Sequence, residues 1–262
     1  MDYLPDLETI DGVTFELRPH HRTPTKKQWT CLRKNRSITN RYLELAEEFQ
    51  RSRIVEFGVD QGGSTSFFAK LFQPEKMIAF ELSDEPVSTV MDFLSEQDPE
   101  GRINIHWGVN QADQAVVPRL LDRAFGSHAV DFIVDDASHL LAPSTATFEM
   151  LFPRLRPGGL YVLEDWSGDH LDELAIVTAF MNDTDGEFAR RFRAAALQNT
   201  NRSKPMSLLI CQLVVASGRN PDWIAELRIR GGYCEVRRGA ADIPPNTPIG
   251  DRSEEHTSEL QS

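Results

Sequence analysis

Two acidic pairs and one histidine are the residues of this 262-residue chain best placed to do chemistry. The first pair opens Asp135-Asp136-Ala137-Ser138-His139, and the second opens Glu164-Asp165-Trp166. Each follows a short apolar run, Val130–Val134 and Leu160–Leu163. Carboxylates that converge repel one another unless something neutralises them. A hard divalent cation is the simplest solution, and an oxygen-only donor set favours Mg²⁺ over zinc. Neighbouring side chains on a strand point to opposite faces, so both members of a pair need not bind the ion. Where the chain curls at the strand ends, the expected ligands are Asp136, Glu164 and Asp165. Asp135 is left to meet a cofactor or to support the ligands. His139, three residues after Asp136, falls beside a substrate held there, and its ordinary pKa of about 6.5 suits a general base. Solvated loop acids are the plain alternative. His20, His21, His106, His128 and His170 have no comparable neighbours.

A glycine-rich turn supplies a second cluster. Arg53–Phe57 runs into Gly58-Val59-Asp60-Gln61-Gly62-Gly63-Ser64, a turn that lets the backbone approach a ligand and then opens a helix with free N–H groups. The spacing is not that of a dinucleotide fingerprint. About twenty-five residues after Glu56, a second apolar run ends in Glu81, whose carboxylate can accept both hydroxyls of a ribose. Together these point to a nucleoside cofactor.

The elements that must carry these residues alternate regularly. Strands are expected at Arg53–Phe57, Met77–Glu81, Ile103–Trp107, Val130–Val134 and Leu160–Leu163. Helices are expected at 40–50, 64–72, 86–97, 112–125, 144–155, 169–182, 187–197 and 205–217, the one at 144–155 being stopped by Pro157-Gly158-Gly159. Ile224–Arg230 and Tyr233–Arg238, split by two glycines, read as a hairpin. The expected fold is therefore α/β, a Rossmann-like, seven-stranded, mostly parallel sheet with an antiparallel C-terminal hairpin and helices on both faces. No linker splits the chain. Residues 1–38 are expected to form an N-terminal cap, residues 39–240 the main domain and residues 241–262 a disordered tail. The last stretch, 252–262, reads as the conceptual translation of a sequencing adapter.

On these residues the chain resembles class I S-adenosylmethionine-dependent methyltransferases. The resemblance implies that Gly58 and Gly62 lie against the methionine part, with Glu56 near its amino group, Glu81 on the ribose and Ser64 also among the cofactor-binding residues. It also implies an adenine contact from the loop holding Asn110, Gln111 and Asp113, without deciding which. Asp-Asp-x-Ser-His at 135–139 and Gly-Gly-Leu-Tyr-Val-x-Glu-Asp at 158–165 further resemble metal-dependent sugar O-methyltransferases of the macrolide-tailoring type. That group implies S-adenosylmethionine and Mg²⁺ as cofactors, Asp136, Glu164 and Asp165 as metal ligands, and His139 as the base. Ala137 stands where the group usually has glycine. Catechol O-methyltransferases share the logic but use lysine as the base, so His139 favours the sugar type. The expected activity is Mg²⁺-dependent methyl transfer to a hydroxyl of a sugar or other natural product. A catechol-like enzyme acting on vicinal phenols and a non-catalytic nucleoside-binding scaffold are the alternatives.

Composition sets the surroundings. Lys+Arg is 28 against Asp+Glu at 40, a net charge of −12, which disfavours nucleic acid as a partner. There is no membrane-length apolar run and no apolar leader, and three scattered cysteines fit a reducing, cytoplasmic setting. The expected partner is a small-molecule hydroxyl acceptor, and a homo-oligomer stays open. Against the acidic background, Arg18 to Arg41 holds eight Lys/Arg and no acid. It reads either as a solvated face or as a lid toward an anionic group. Trp29 and Trp166 read as an apolar wall over the acceptor or as packing.

Overall fold

A computed structural model describes residues 5–17, 24–168, 205–245 and 247–249. Its centre is a seven-stranded sheet in the order β6-β5-β4-β7-β8-β10-β9. β4 (Arg53–Phe57), β5 (Lys76–Phe80), β6 (Ile103–His106), β7 (Val130–Asp135) and β8 (Leu155–Glu164) run parallel. β9 (Ile224–Ile229) and β10 (Tyr233–Arg238) form the antiparallel hairpin, with β10 docked on β8. The order reverses at β4, between β5 and β7, which is where such sheets leave a crevice for ligands.

The central strands are buried on both faces, so apolar residues occupy both of their sides rather than alternating with exposed ones. Alternate residues still serve different layers. Val55, Phe57, Ile133, Tyr161 and Leu163 pack with helices α4 (Val116–Phe125), α5 (Leu141–Leu151) and α6 (Ser207–Arg219). Ile54, Phe132, Val134, Leu160 and Val162 pack on the other side with α1 (Arg36–Leu45) and α2 (Gly63–Phe72). Phe49, Phe68, Phe72 and Phe132 meet there as stacked and edge-on rings, each fully buried and each contributing roughly 1.5–3 kcal/mol by leaving water. The remaining described helix, α3 (Ser88–Gln97), covers α2. No described helix is long and apolar enough to cross a membrane.

The stretch expected as a cap has its own order. β1 (Asp6–Ile10), β2 (Val13–Leu17) and β3 (Thr30–Leu32) form a small separate sheet. Phe15, Leu17 and Leu32 join the core on the α1/α2 side. The first helix starts at Arg36 rather than residue 40, because the Asn35 side chain caps it by accepting from the Ile38 N–H at 3.0 Å. A second displacement is at β8. It begins at Leu155, so Pro157-Gly158-Gly159 lies inside a strand, next to a register shift against β7 between Val130 and Phe132. The stretch from residue 241, expected as tail, packs in part: Ile243 and Ile249 lie against the core, and the Ile249 N–H donates to Glu149 at 3.0 Å. The helices expected at 169–182 and 187–197, and the adapter-like stretch 252–262, lie outside the described residues.

Candidate active site

At the carboxyl ends of the parallel strands lies a cavity of about 570 Å³. Its wall includes Gly58 and Ser64 from the turn after β4, Glu81 after β5, Asn110 and Gln111 after β6, Asp136 and His139 after β7, and Asp165 after β8. Five strand ends therefore deliver their polar residues to one space, as the fold requires of a ligand crevice.

The glycine turn is shaped by close approach. Gly58 has φ +90°, and a Cβ there would stand 2.1 Å from the Asp136 carbonyl oxygen. Gly62 has φ +80° and faces Val90 of α3, so packing explains this glycine and it does not line the cavity. Glu81 braces the turn: one carboxylate oxygen accepts the Val59 and Asp60 N–H groups at 2.9 Å each, and the other accepts from Ser83 at 3.0 Å. Glu56 is buried beneath. Its Oε2 accepts from the Thr65 hydroxyl at 2.6 Å, while its Oε1 has no partner among the described residues. Burial pushes this carboxyl up to about 7, against the pull of the neighbouring Ser64 and Thr65 hydroxyls. Glu56 lies behind the cavity wall rather than in it, and its unpartnered oxygen is of the kind that suits an ammonium group, while Gly58, Ser64 and Glu81 line the cavity where the expected cofactor would sit.

The loop after β6 divides its three candidates. The Gln111 amide donates to Asp135 at 3.1 Å and to Thr147 at 3.0 Å, and its carbonyl accepts the Ser138 N–H at 3.0 Å. The Asn110 side chain accepts the Ala112 N–H. Asp113 accepts from Ala115 and Val116 at the start of α4, and those two N–H groups, Val116 first, hold its carboxyl below the usual range. Asp113 is thus placed as a helix cap and lies outside the cavity wall. Asp135 is buried, accepting from the Tyr161 hydroxyl at 2.9 Å, and burial pushes it up to about 6.

Three of the predicted chemical residues meet. Asp136, His139 and Asp165 each offer a ligand atom, all within 4.8 Å of one another. His139 Nε2 is 3.8 Å from Asp136 Oδ1. His139 and Asp165 both have φ +51°, a left-handed conformation that costs a non-glycine residue about 1 kcal/mol or more. Both strand ends therefore curl sharply into the crevice. Asp165 is held from behind by the hairpin: its N–H donates to the Gly232 carbonyl at 2.7 Å, and the Trp166 indole donates to Arg230 at 2.8 Å. Trp166 packs on the core, and Trp29 lies under the Lys26 ammonium at 4.6 Å. Two hard carboxylates facing an open cavity fit a divalent cation at Asp136 and Asp165.

Glu164 is placed differently from its partners. Its Oε1 accepts from Lys34 Nζ and from the Tyr42 hydroxyl, both at 2.5 Å, and Lys34 Nζ also donates to Asp136 Oδ2 at 2.8 Å. Burial pushes Glu164 up to about 7, the Asp136 charge adds to this, and the Lys34 charge pulls it back. Burial alone would lower Lys34, but Asp136 and then Glu164 more than offset it, so the ammonium stays protonated. Sequence reading missed Lys34 because it lies in a basic run that reads as surface. Other members of that run are also paired: Arg33 with Asp60, Arg36 with Asp6 and Glu8, and Arg41 with Glu235. Arg18 and Arg22 lie outside the described residues.

Comparison with known proteins places the chain's sheet and sequence beside methyltransferases. Residues 55–166 match the family described as "Methyltransferase domain". The mycinamicin VI 2''-O-methyltransferase of Micromonospora griseorubida is 32% identical over 123 residues, which cover 44% of this chain and 27% of that protein. The 8-demethyl-8-alpha-L-rhamnosyl tetracenomycin-C 2'-O-methyltransferase of Streptomyces olivaceus is 48% identical over 54 residues, 21% of this chain and 14% of that protein. Among solved structures, MycE of the mycinamycin biosynthetic pathway, in complex with Mg, SAH and mycinamycin VI, superposes with a TM-score of 0.52 at 24% identity. That match covers 79% of this chain and 50% of MycE, so the chain spans about half the length of that solved relative and a smaller share of the curated ones.

Proposed function

We propose that this chain, which carries a class I S-adenosylmethionine-dependent methyltransferase domain, transfers a methyl group to a hydroxyl oxygen of a sugar or another natural product, with Mg²⁺ bound at Asp136 and Asp165. The observation that carries this reading is the meeting of two half-sites in one cavity. The Gly58 turn and Glu81 lie on one side, and Asp136, His139 and Asp165 on the other.

The donor's sulfonium arrives already activated, so the protein's work is on the acceptor. Glu56, with its free buried oxygen, receives the donor's ammonium, and Glu81 offers its carboxylate to the ribose. A bound Mg²⁺ would lower the acceptor hydroxyl's pKa and orient its oxygen. His139 faces the same space and takes the hydroxyl proton on Nε2, while Asp136, 3.8 Å away, stabilises the imidazolium that results. The curled backbone at His139 and Asp165 holds these groups before the acceptor arrives. Three free cysteines, Cys31, Cys211 and Cys234, agree with a reducing compartment.

Calorimetric titration with S-adenosylmethionine, with and without Mg²⁺, tests the reading. Binding of the donor, followed by turnover in a screen of glycosylated macrolides against catechols that stops on chelation, is the expected result. A folded protein that binds no donor would defeat the reading and leave a scaffold. Turnover on catechols alone would move the acceptor class to vicinal phenols.

A further inference from the structure

Lys34 is the one cation in contact with the acids of the rim among the described residues. Its side chain is only 3% exposed, and its Nζ bridges Asp136 Oδ2 and Glu164 Oε1. The faces of Tyr42 and Phe68, 5.8 and 6.0 Å away, close around it. It is delivered by the turn between β3 and α1, outside residues 55–166 that match the methyltransferase family. Its neighbours Cys31 and Leu32 are held by packing: a Cβ on Gly63 would stand 2.0 Å from the Cys31 carbonyl oxygen, so the start of α2 and this turn touch directly. The ammonium is therefore fixed in place from two sides, rather than a surface lysine that folds inward.

Charge gives this placement a meaning. Asp136, Glu164 and Asp165 bring three carboxyl groups to one rim, and Lys34 sets one buried ammonium between two of them. The oxygens that Lys34 engages are Asp136 Oδ2 and Glu164 Oε1, while Asp136 Oδ1 is the oxygen nearer His139 and Asp136 and Asp165 both line the cavity. We propose that Lys34 is the resident cation of this rim and sets its divalent affinity, its ammonium competing with the ion for the charge of Asp136 and Glu164. The inference rests on the divalent site of the proposed function. Lys34 keeps the acids paired when no ion is bound and holds divalent binding weak enough to be reversible. At a few ångströms and an effective dielectric near 20, a fixed positive charge weakens a divalent ion by roughly tenfold or more.

Mn²⁺ is a suitable probe, its free concentration read by electron paramagnetic resonance at pH 8.5 on the full chain with S-adenosylhomocysteine present. Lys34→Met is expected to bind Mn²⁺ at least tenfold tighter, with affinity for S-adenosylhomocysteine within twofold of the parent. Lys34→Arg, which keeps the charge, should stay within threefold for Mn²⁺. Should Lys34→Met fail to fold, Lys34→Gln keeps a hydrogen-bond donor without the charge and is expected to shift Mn²⁺ in the same direction. Unchanged or weaker Mn²⁺ binding in a folded Lys34→Met or Lys34→Gln that still binds S-adenosylhomocysteine would overturn the inference. A parent that binds no Mn²⁺ beside a variant that does would uphold the role of Lys34 and defeat the Mg²⁺ part of the proposed function. Silence from both would defeat the two together.

Discussion

Gly58 and Asp136 touch through their backbones: the Asp136 N–H donates to the Phe57 carbonyl at 3.0 Å, and the Asp136 carbonyl oxygen lies where a Cβ of Gly58 would be. The glycine turn that lines the cavity and the strand end that carries the first acid of the rim thus share one contact. Gly58→Ala would meet that oxygen at 2.1 Å and force a left-handed backbone on alanine. The expected cost is roughly 2–4 kcal/mol of stability, with donor affinity and divalent affinity both reduced. Thermal melts with and without S-adenosylhomocysteine measure it, and a neutral substitution would show that the two half-sites are independent.

His139 is half-exposed at the cavity and makes no strong structural contact, its nearest charged neighbour being Asp136 at 3.8 Å. His139→Ala should therefore cost turnover about 10²–10⁴-fold, in the range of a lost general base, with donor affinity within twofold. His139→Gly should match it in turnover and be the more stable of the two, because glycine accepts φ +51° without strain. Steady-state kinetics beside melting curves separate the two effects. Equal loss of donor binding would remove His139 from the role of base.

Under the proposed function, Glu56 would link donor binding to pH. Its carboxyl stands near 7 in the folded protein against an ordinary 4.5. The folded state therefore holds a proton that the unfolded chain has released. This group's contribution to stability is complete below about pH 4.5 and is lost as pH rises through 7. Asp135 and Glu164, also raised, act with the same sign. Without donor, the melting temperature should fall between pH 5 and pH 8. Glu56→Gln should flatten that slope and raise the melting temperature at pH 8, while weakening S-adenosylmethionine binding by about tenfold or more through loss of the ammonium's partner. A variant with the parent's slope and the parent's affinity would contradict both roles.

Gln111 ties three elements together, with bonds to Asp135 on β7, Thr147 on α5 and the Ser138 N–H beside His139. Gln111→Ala would leave those buried groups unpaired and cost roughly 1–3 kcal/mol. Turnover should fall more than donor affinity, since the turn that carries His139 loses its anchor. Gln111→Glu would bring a second carboxylate against Asp135 and should be worse in stability at pH 8 than at pH 5, a comparison that melting curves make directly.

Much of this geometry was legible from one-dimensional pattern. Arg53–Phe57 is a strand over the very residues expected, because Ile54, Val55 and Phe57 put apolar side chains on both of its faces just ahead of the glycine turn. The strand-end acids and His139 were legible because topology alone carries the ends of parallel strands to one rim. Other assignments depended on contacts across the fold. Gly62 is explained by Val90, which its own neighbours in sequence do not announce. Glu164 meets Tyr42 and Lys34 from 122 and 130 residues away, so no local spacing could reveal its partners. Asp113 was the exception: an acid three positions before a helix is itself a capping signal, outweighed by its place in a loop where a cofactor contact was expected. The extension of β8 back to Leu155 was hidden because proline and glycine ordinarily end strands rather than sit within them.

The strands that the family match spans begin with β4, yet the ammonium facing Asp136 and Glu164 reaches them from ahead of that border. A chimera that grafted residues 55–166 behind a foreign front segment would inherit the acids without their counter-charge. In laboratory recombination between relatives, the stretch from Cys31 to Tyr42 and the ends of β7 and β8 are therefore one heritable unit. Crossovers placed between them should yield proteins that fold around the same sheet but misjudge their ion.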